Sequence, residues 1–263
     1  MGISGTDVAK EASDMILLDD NFATIVNAIE EGRTVYENIK KFVTYIFASN
    51  IPEAVPYLAY ILLRIPLPLT IIQILAVDLG TDILPALALG AEKPTPEVMK
   101  QPPRKLQERL LDFPLIARAY LFLGPIEALA CMFGFFFVLY HGGWTWGEML
   151  LPTNRLYLQA TTACLTGIII TQIGNVFACR SSGESVFSIG LFSNRLIFGA
   201  ILIELILQLF IVYHPFGNSI FGTAPIGPDV WIILIPFSAG LLLAEEMRKA
   251  YAGRRWRKRY GSA

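Results

Sequence analysis

Ser49-Asn50-Ile51-Pro52-Glu53-Ala54-Val55-Pro56 and Val77-Asp78-Leu79-Gly80-Thr81-Asp82-Ile83-Leu84-Pro85 are the stretches whose reading decides the fold. Each lies inside an apolar run long enough to cross a bilayer, yet together they place three carboxylates, an amide and three prolines at membrane depth. An ionisable residue at the bilayer centre costs roughly 2.5 to 3.5 kcal/mol on insertion scales. Glu53, Asp78 and Asp82 are therefore expected to face a cavity that holds a compensating ion or proton. On a helix Asn50 and Glu53 stand at i,i+3 and Asp78 and Asp82 at i,i+4, so each pair projects from one face. Pro52, Pro56 and Pro85 lack an amide hydrogen, which leaves the carbonyls of Ala48, Pro52 and Thr81 free and expected to point at a cation. Gly80 is expected to let the second helix unwind locally. Ligation by carboxylates, an amide and bare carbonyls suits hard cations such as Na+, K+ or Ca2+.

Composition agrees with a membrane setting. Hydrophobic residues make up 54% of the chain and charged residues 16%, below the quarter or so usual in soluble domains. Membrane lipid, not nucleic acid, is the expected surrounding. Cys131, Cys164 and Cys179 sit in or at the ends of apolar runs without CxxC spacing, which indicates buried thiols and neither a disulfide framework nor a zinc site. His141 and His214 each end an apolar run and offer no ligand cluster. The first thirty or so residues are polar and acidic, without the features of a cleavable signal peptide.

Working outward, Met15-Ile16-Leu17-Leu18 reads as a short buried strand, and Asp19-Asp20-Asn21 as the cap of a helix from Phe22 to about Glu31. This piece is too small to bury a core alone and reads as the tail of a larger domain. Six apolar runs follow, each close to the ~20 residues a span requires. They lie at about Phe42 to Leu63, Leu69 to Ala91, Leu115 to Tyr140, Leu156 to Ala178, Leu196 to Tyr213 and Val230 to Ala244, the last running on through Glu245-Glu246. The connection from Glu92 to Phe113 carries Lys93, Lys100, Arg104, Lys105 and Arg109, and the tail carries Arg248, Lys249, Arg254, Arg255, Arg257, Lys258 and Arg259. The loop after His214 carries no Lys or Arg, and the loops around Arg64-Ile65-Pro66 and Gly142 to Asn154 carry at most one each, so the positive-inside rule puts both termini in the cytoplasm. Trp144, Trp146 and Trp231 then read as interface anchors on the outer side. The basic run from Arg254 to Arg259 serves either as a topology determinant or as a contact for anionic lipid.

Polar residues recur in the later spans: Glu127 in the third, Gln172 and Asn175 in the fourth, Glu204 with Gln208 in the fifth. Amides at such positions join helices routinely, so Gln172 and Asn175 read equally as glue or as site residues. Glu204 is the stronger candidate because a carboxylate costs more than an amide, and Glu127, with no partner at its spacing, ranks below it.

The opening Gly2-Ile3-Ser4-Gly5-Thr6-Asp7-Val8-Ala9-Lys10-Glu11-Ala12-Ser13-Asp14, with Leu17-Leu18-Asp19-Asp20-Asn21-Phe22, resembles the end of the phosphorylation domain of type II P-type cation ATPases. Glu31-Gly32-Arg33-Thr34-Val35-Tyr36-Glu37-Asn38-Ile39-Lys40-Lys41 resembles the linker into their fifth membrane helix. Ser49-Asn50-Ile51-Pro52-Glu53 and Asp78-Leu79-Gly80-Thr81-Asp82 look like the cation-site motifs of their fifth and sixth helices, in a form close to the sodium/potassium pump. The resemblance covers the whole chain. It implies an all-α membrane protein of six transmembrane helices, the fifth to tenth of such a pump, behind a short remnant of the α/β phosphorylation domain. The implied division is 1–31 remnant, 32–41 linker, 42–251 transport domain and 252–263 basic tail. Heavy-metal pumps have only two spans there, and no Cys-Pro-Cys is present, which argues against copper or zinc as cargo.

Carried over by resemblance, Asn50, Glu53, Asp78 and Asp82 are cation ligands, with Ser49 and Thr81 beside them. Gln172 and Glu204 match polar positions of an additional sodium site, where Asn175 replaces an aspartate and Ala48 a threonine. The sarcoplasmic reticulum calcium pump instead has an asparagine at the position of Asp78 and a glutamate in its eighth helix, so Ca2+ and Na+/K+ both stay open as cargo. The Asp-Lys-Thr-Gly-Thr and Gly-Asp-Gly-Val-Asn-Asp motifs are not in this sequence, so Mg2+ and ATP belong to the parent enzyme and this chain by itself is expected not to hydrolyse ATP. The alternative reading is a non-enzymatic membrane protein, either a passive cation pathway or the partner of a separate N-terminal half. An upstream reading frame encoding Asp-Lys-Thr-Gly-Thr discriminates between the two.

Overall fold

The computed structural model describes residues 1–95, 98–100, 102–103 and 109–260, with side chains described as far as residue 252. Arg104 and Lys105 of the basic connection, and the side chains of Arg254, Arg255, Arg257, Lys258 and Arg259 in the tail, lie outside the described residues. Among the described residues the α-helical elements are, in order, α1 (Asp7–Glu11), α2 (Ala23–Leu63), α3 (Ile71–Gly90), α4 (Phe113–His141), α5 (Arg155–Cys179), α6 (Val186–Ile189), α7 (Arg195–Tyr213), α8 (Pro215–Phe221) and α9 (Pro228–Tyr260), with a short 3-10 turn at Leu191–Ser193 between α6 and α7. Six of them, α2, α3, α4, α5, α7 and α9, are long and apolar enough to cross a membrane. The protein is a multi-pass membrane protein. In hydrocarbon the backbone must satisfy its own hydrogen bonds, which a helix does within each segment except where prolines such as Pro52 and Pro56 free a carbonyl.

The helix ends are set by short polar side chains that the sequence displays. Asn21 Oδ1 accepts from the Ala23 amide at 3.0 Å, Asp112 from Leu115 at 2.8 Å, Asn154 from Leu156 at 2.9 Å and Asn194 from Leu196 at 3.0 Å, each relieving an unpaired amide of a first turn. α2 ends where Arg64 turns left-handed at φ 53°, ahead of Pro66 and Pro68. α3 begins at Thr70, whose amide donates to Gln73 Oε1 at 3.1 Å.

α5 is the central post. Nearly all of its membrane window is buried, whereas α2 and α9 leave most of theirs exposed. It packs chiefly on α4 and α9, while α2 leans on α4 and α3, and α7 on α3. Close approach is licensed by small residues. A Cβ on Gly167 of α5 would stand 2.8 Å from Cys131 Cα and 3.0 Å from Ala130 O of α4, so these backbones touch. The three cysteines are buried within the spans.

On the side that carries both termini, charged residues pair in the protein interior. Arg180 Nε meets Glu92 Oε1 at 2.7 Å and Arg118 meets Glu245 Oε1 at 2.7 Å, with Arg248 on the same carboxylate at 2.7 Å. Asn38 of α2 donates to the Glu92 carbonyl at 2.7 Å, which ties α2 to the end of α3. Glu245 is thus fully buried within a continuing α9, as a helix running on past Ala244 requires.

Three expectations are corrected. No strand is present among the described residues, so an α/β remnant is not shown. Met15, Ile16 and Leu18 are exposed and the segment makes one ladder-like bond, Gly2 N to Leu17 O at 2.7 Å, because a strand without neighbouring strands has nothing to pair with. The helix expected to end at about Glu31 does not end there: Ala23–Leu63 is one helix that runs through residues 32 to 41 into the first span. Its only glycine, Gly32, is open to solvent and one such residue does not break 41 residues of helix. Trp144 is no interface anchor: it is buried among Ile65, Leu69 and Leu139, its indole N–H donating to the Glu148 carbonyl at 2.9 Å, while Trp146 is exposed.

Outside the spans, Asp20 fastens the N-terminal segment by accepting from the amides of Ile3 at 3.0 Å and Ser4 at 2.7 Å and from the Ser4 hydroxyl at 2.6 Å. These donors, the hydroxyl foremost, hold its carboxyl down at about 2.

Candidate cation site

Glu53 comes from the stretch of α2 between Pro52 and Pro56, and Asp78 and Asp82 from α3. Residues Val77–Asp82 do not unwind as the glycine suggested. They widen into a turn of π-helix, with Gly80 inside it and Pro85 just after. Such bulges arise where an α-helix must re-aim side chains, and they recur at functional sites. Here the wider turn brings carboxylate oxygens of Glu53, Asp78 and Asp82 within 4.8 Å of one another. Two oxygens bound to one ion at about 2.4 Å lie at most about 4.8 Å apart, so the spacing matches a shared hard cation.

The surroundings are polar on one side. Tyr45 OH donates to Asp82 Oδ1 at 3.3 Å, and Ser49 and Gln172 also face that carboxylate. Thr81 Oγ lies 3.3 Å from Gln172 Oε1 and 3.1 Å from its own Val77 carbonyl. Asp82, Ser49, Thr81 and Gln172 are buried, whereas Asn50, Glu53 and Asp78 are half-buried. Asn50 stands one turn before Glu53 on the same helix.

The freed carbonyls behave differently from expectation. Pro52 O accepts from Cys131 Sγ of α4 at 3.6 Å, and Ala48 O faces Gly124 of α4, 2.9 Å from where a Cβ there would lie. Both turn towards α4, because α2 packs that face against it at Gly124 and Ile51.

Asn175 and Glu204 are fully buried, and Glu204 is not one of the carboxylates that converge with Glu53. Asn175 Oδ1 accepts from Cys179 Sγ at 3.2 Å, and Gln208, next to Glu204 on α7, donates to Thr166 Oγ at 2.8 Å. Glu127, which the sequence ranked below Glu204, is also fully buried and interacts electrostatically with Asp82 and Glu53. Tyr45 was missed by sequence reasoning. Its signal was its place four residues before Ser49, on the same face of α2.

Residues 66–251 match the family model described as "Cation transporting ATPase, C-terminus". The chain belongs to that family, the C-terminal domain of P-type cation-transporting ATPases. A "Calcium-transporting ATPase" of Bacillus subtilis (strain 168) is 44% identical over 91% of this chain and 25% of its own length. A "Sodium/potassium-transporting ATPase subunit alpha-1" of Catostomus commersonii is 37% identical over 95% of the chain and 27% of its own. The alpha-4 subunit of Rattus norvegicus is 38% identical over 97% of the chain and 27% of its own. This P-type ATPase domain thus spans about a quarter of the length of the relatives it matches.

Proposed function

We propose that residues 42–251 are the cation-transport domain of an ATP-driven pump, with Glu53, Asp78, Asp82 and Asn50 as ligands and Ser49, Thr81 and Gln172 beside them. The convergence of three carboxylates to within 4.8 Å, on two adjacent spans that each carry a helix irregularity, carries this reading. Residues 1–31 are then the last part of the phosphorylation domain, 32–41 the linker and 252–263 a basic tail, with both termini in the cytoplasm. The helix that carries Glu53 runs unbroken from Ala23, so a rigid-body movement applied at its far end reaches the ligands directly. Transport further requires two states that bind the ion with different affinity, switched by phosphorylation elsewhere in the pump. The cargo is Ca2+ or Na+/K+, the ions named for the relatives.

The test is the cation dependence of phosphorylation from ATP in the full-length protein, with Na+ and Ca2+ assayed separately. At about 4 Å and an effective dielectric constant near 20, one charge contributes about 4 kcal/mol, a ceiling near a thousandfold in affinity. Asp82→Asn retains a carbonyl dipole, so about ten- to a thousandfold weaker binding is expected, with Glu184→Gln, on an exposed loop, as the unaffected control. Unchanged affinity in both Asp82→Asn and Glu53→Gln refutes the assignment.

A further inference from the structure

On the side of the termini, a cavity of about 580 Å³ lies between α2, the start of α4, the loop after α5 and the far part of α9. Thr44 and Leu115 on its wall stand at the starts of the first and third spans, which puts it at the depth of lipid headgroups. Lys41, Arg118, Arg180 and Arg248 line it, and the side chains of the first three are only 13%, 9% and 1% exposed. The acidic groups on the wall are fewer and more open to solvent. Glu184 is exposed and Glu37 and Asp112 are half-buried, with Asp112 Oδ1 already accepting from the Leu115 amide.

Behind the wall two carboxylates serve four cations. Glu245 is shared by Arg118 and Arg248, each at 2.7 Å, and Glu92 by Arg180 at 2.7 Å and Lys41 at 4.0 Å. Buried charges are held by counter-charges, so this wall is short of negative charge. Arg118 is also short of an acceptor. Its Nη2 reaches the Ala178 and Ser181 carbonyls at 2.9 and 3.1 Å and Glu245 as well, but its buried Nε has no partner among the described residues. Native interiors leave few such groups unmet, and each one points to something that satisfies it. Water fills the space without supplying the charge. A phosphate monoester supplies both, with about two negative charges and three acceptor oxygens that suit arginine forks and a lysine.

We propose that this cavity binds a phosphate group, presented by an anionic phospholipid of the adjoining leaflet or by a soluble phosphate ester. The site takes an anion and draws on none of Glu53, Asp78 and Asp82, so it stands or falls apart from the transport reading. A bound phosphate joins α2, the helix that carries Glu53, to α4 and α9 by charge as well as by packing.

The test is isothermal titration calorimetry on the full-length protein in detergent, with dihexanoyl phosphatidate, glycerol 3-phosphate and, as the zwitterionic control, dihexanoyl phosphatidylcholine. Phosphatidate should bind at least about tenfold more tightly than phosphatidylcholine. Arg118→Gln should weaken phosphatidate at least about tenfold, since it removes the unpartnered donor and a charge. Gly183→Glu should do the same: a Cβ there meets nothing within 4 Å, so the added carboxylate enters the cavity without breaking an existing bond. Gly183→Gln adds the same bulk without the charge and should bind more tightly than Gly183→Glu. Glycerol 3-phosphate carries the same phosphate without acyl chains. If it binds and these variants weaken it, the phosphate alone suffices and the source is soluble; if only phosphatidate binds, the source is the membrane. No binding of either tighter than about 1 mM, or affinities that folded Arg118→Gln leaves unchanged, overturn the proposal. Should Arg118→Gln prove too unstable to purify, the Gly183 pair decides, and equal affinities in Gly183→Glu and Gly183→Gln refute an anion site there.

Discussion

Replacing Arg180 by methionine tests the clamp that holds α5 in register with the acid-bearing helix. Arg180 is almost wholly buried and ends α5; its guanidinium binds Glu92 at 2.7 Å, the Gly190 carbonyl at 2.8 Å, the Leu191 carbonyl at 3.2 Å and the Ser193 hydroxyl. Glu92 lies just past the end of α3, so this side chain joins the ends of α3 and α5 to the loop that leads into α7. Removing one partner of a buried pair costs about 3 to 5 kcal/mol because the other charge is stranded. Glu92 retains Lys41 Nζ at 4.0 Å and Asn194 Nδ2 at 3.2 Å, which places the expected loss at the lower end, about 3 kcal/mol. At 2 to 4 °C per kcal/mol for chains of this size, Tm should fall by about 6 to 12 °C. The assay is tryptophan fluorescence on heating in detergent, with the monodisperse fraction checked by gel filtration. Adding Glu92→Gln should recover at least half of the loss, since it removes the stranded charge. A fall below about 2 °C, or a double variant that loses the sum of both singles, would show that the pair holds nothing.

Gly167→Ala should cost about 1 to 3 kcal/mol, because its Cβ would meet backbone atoms of α4 at 2.8 and 3.0 Å and the helices must part by about 0.6 Å; an unchanged Tm refutes the close contact. Membrane-impermeant maleimide applied to intact cells should label Met149→Cys and Phe216→Cys but not Ser182→Cys or Lys93→Cys, all exposed positions, and labelling of Ser182→Cys would overturn the proposed orientation. Asp20 should titrate near 2, read by carboxyl NMR on aspartate-labelled protein. A depressed carboxyl contributes its stabilisation fully above its unfolded value near 3.8 and loses it as pH falls through about 2, so the N-terminal segment should loosen only in that acid range; a midpoint at 3.8 removes the argument.

The sequence by itself determined what is local. Hydropathy located all six spans, since a helix in lipid is specified by its own run of apolar residues. Asp and Asn caps marked helix starts, and spacing along α2 and α3 put Asn50 with Glu53 and Asp78 with Asp82. Hydropathy is measured against lipid, however, and cannot say which apolar face meets protein. That α5 is the central post, that Trp144 is core and not interface, and that Glu92 finds Arg180 across 88 residues were decided only by packing. The same holds at the site. The sequence showed three costly carboxylates on two helices, but only the tertiary structure, through a π-helical turn and the packing of α2 on α3, brought their oxygens together. Glu127 had no partner at helical spacing because its neighbours, Asn175, Glu204 and Asp82, stand on other helices, and contacts between helices leave no period in the sequence.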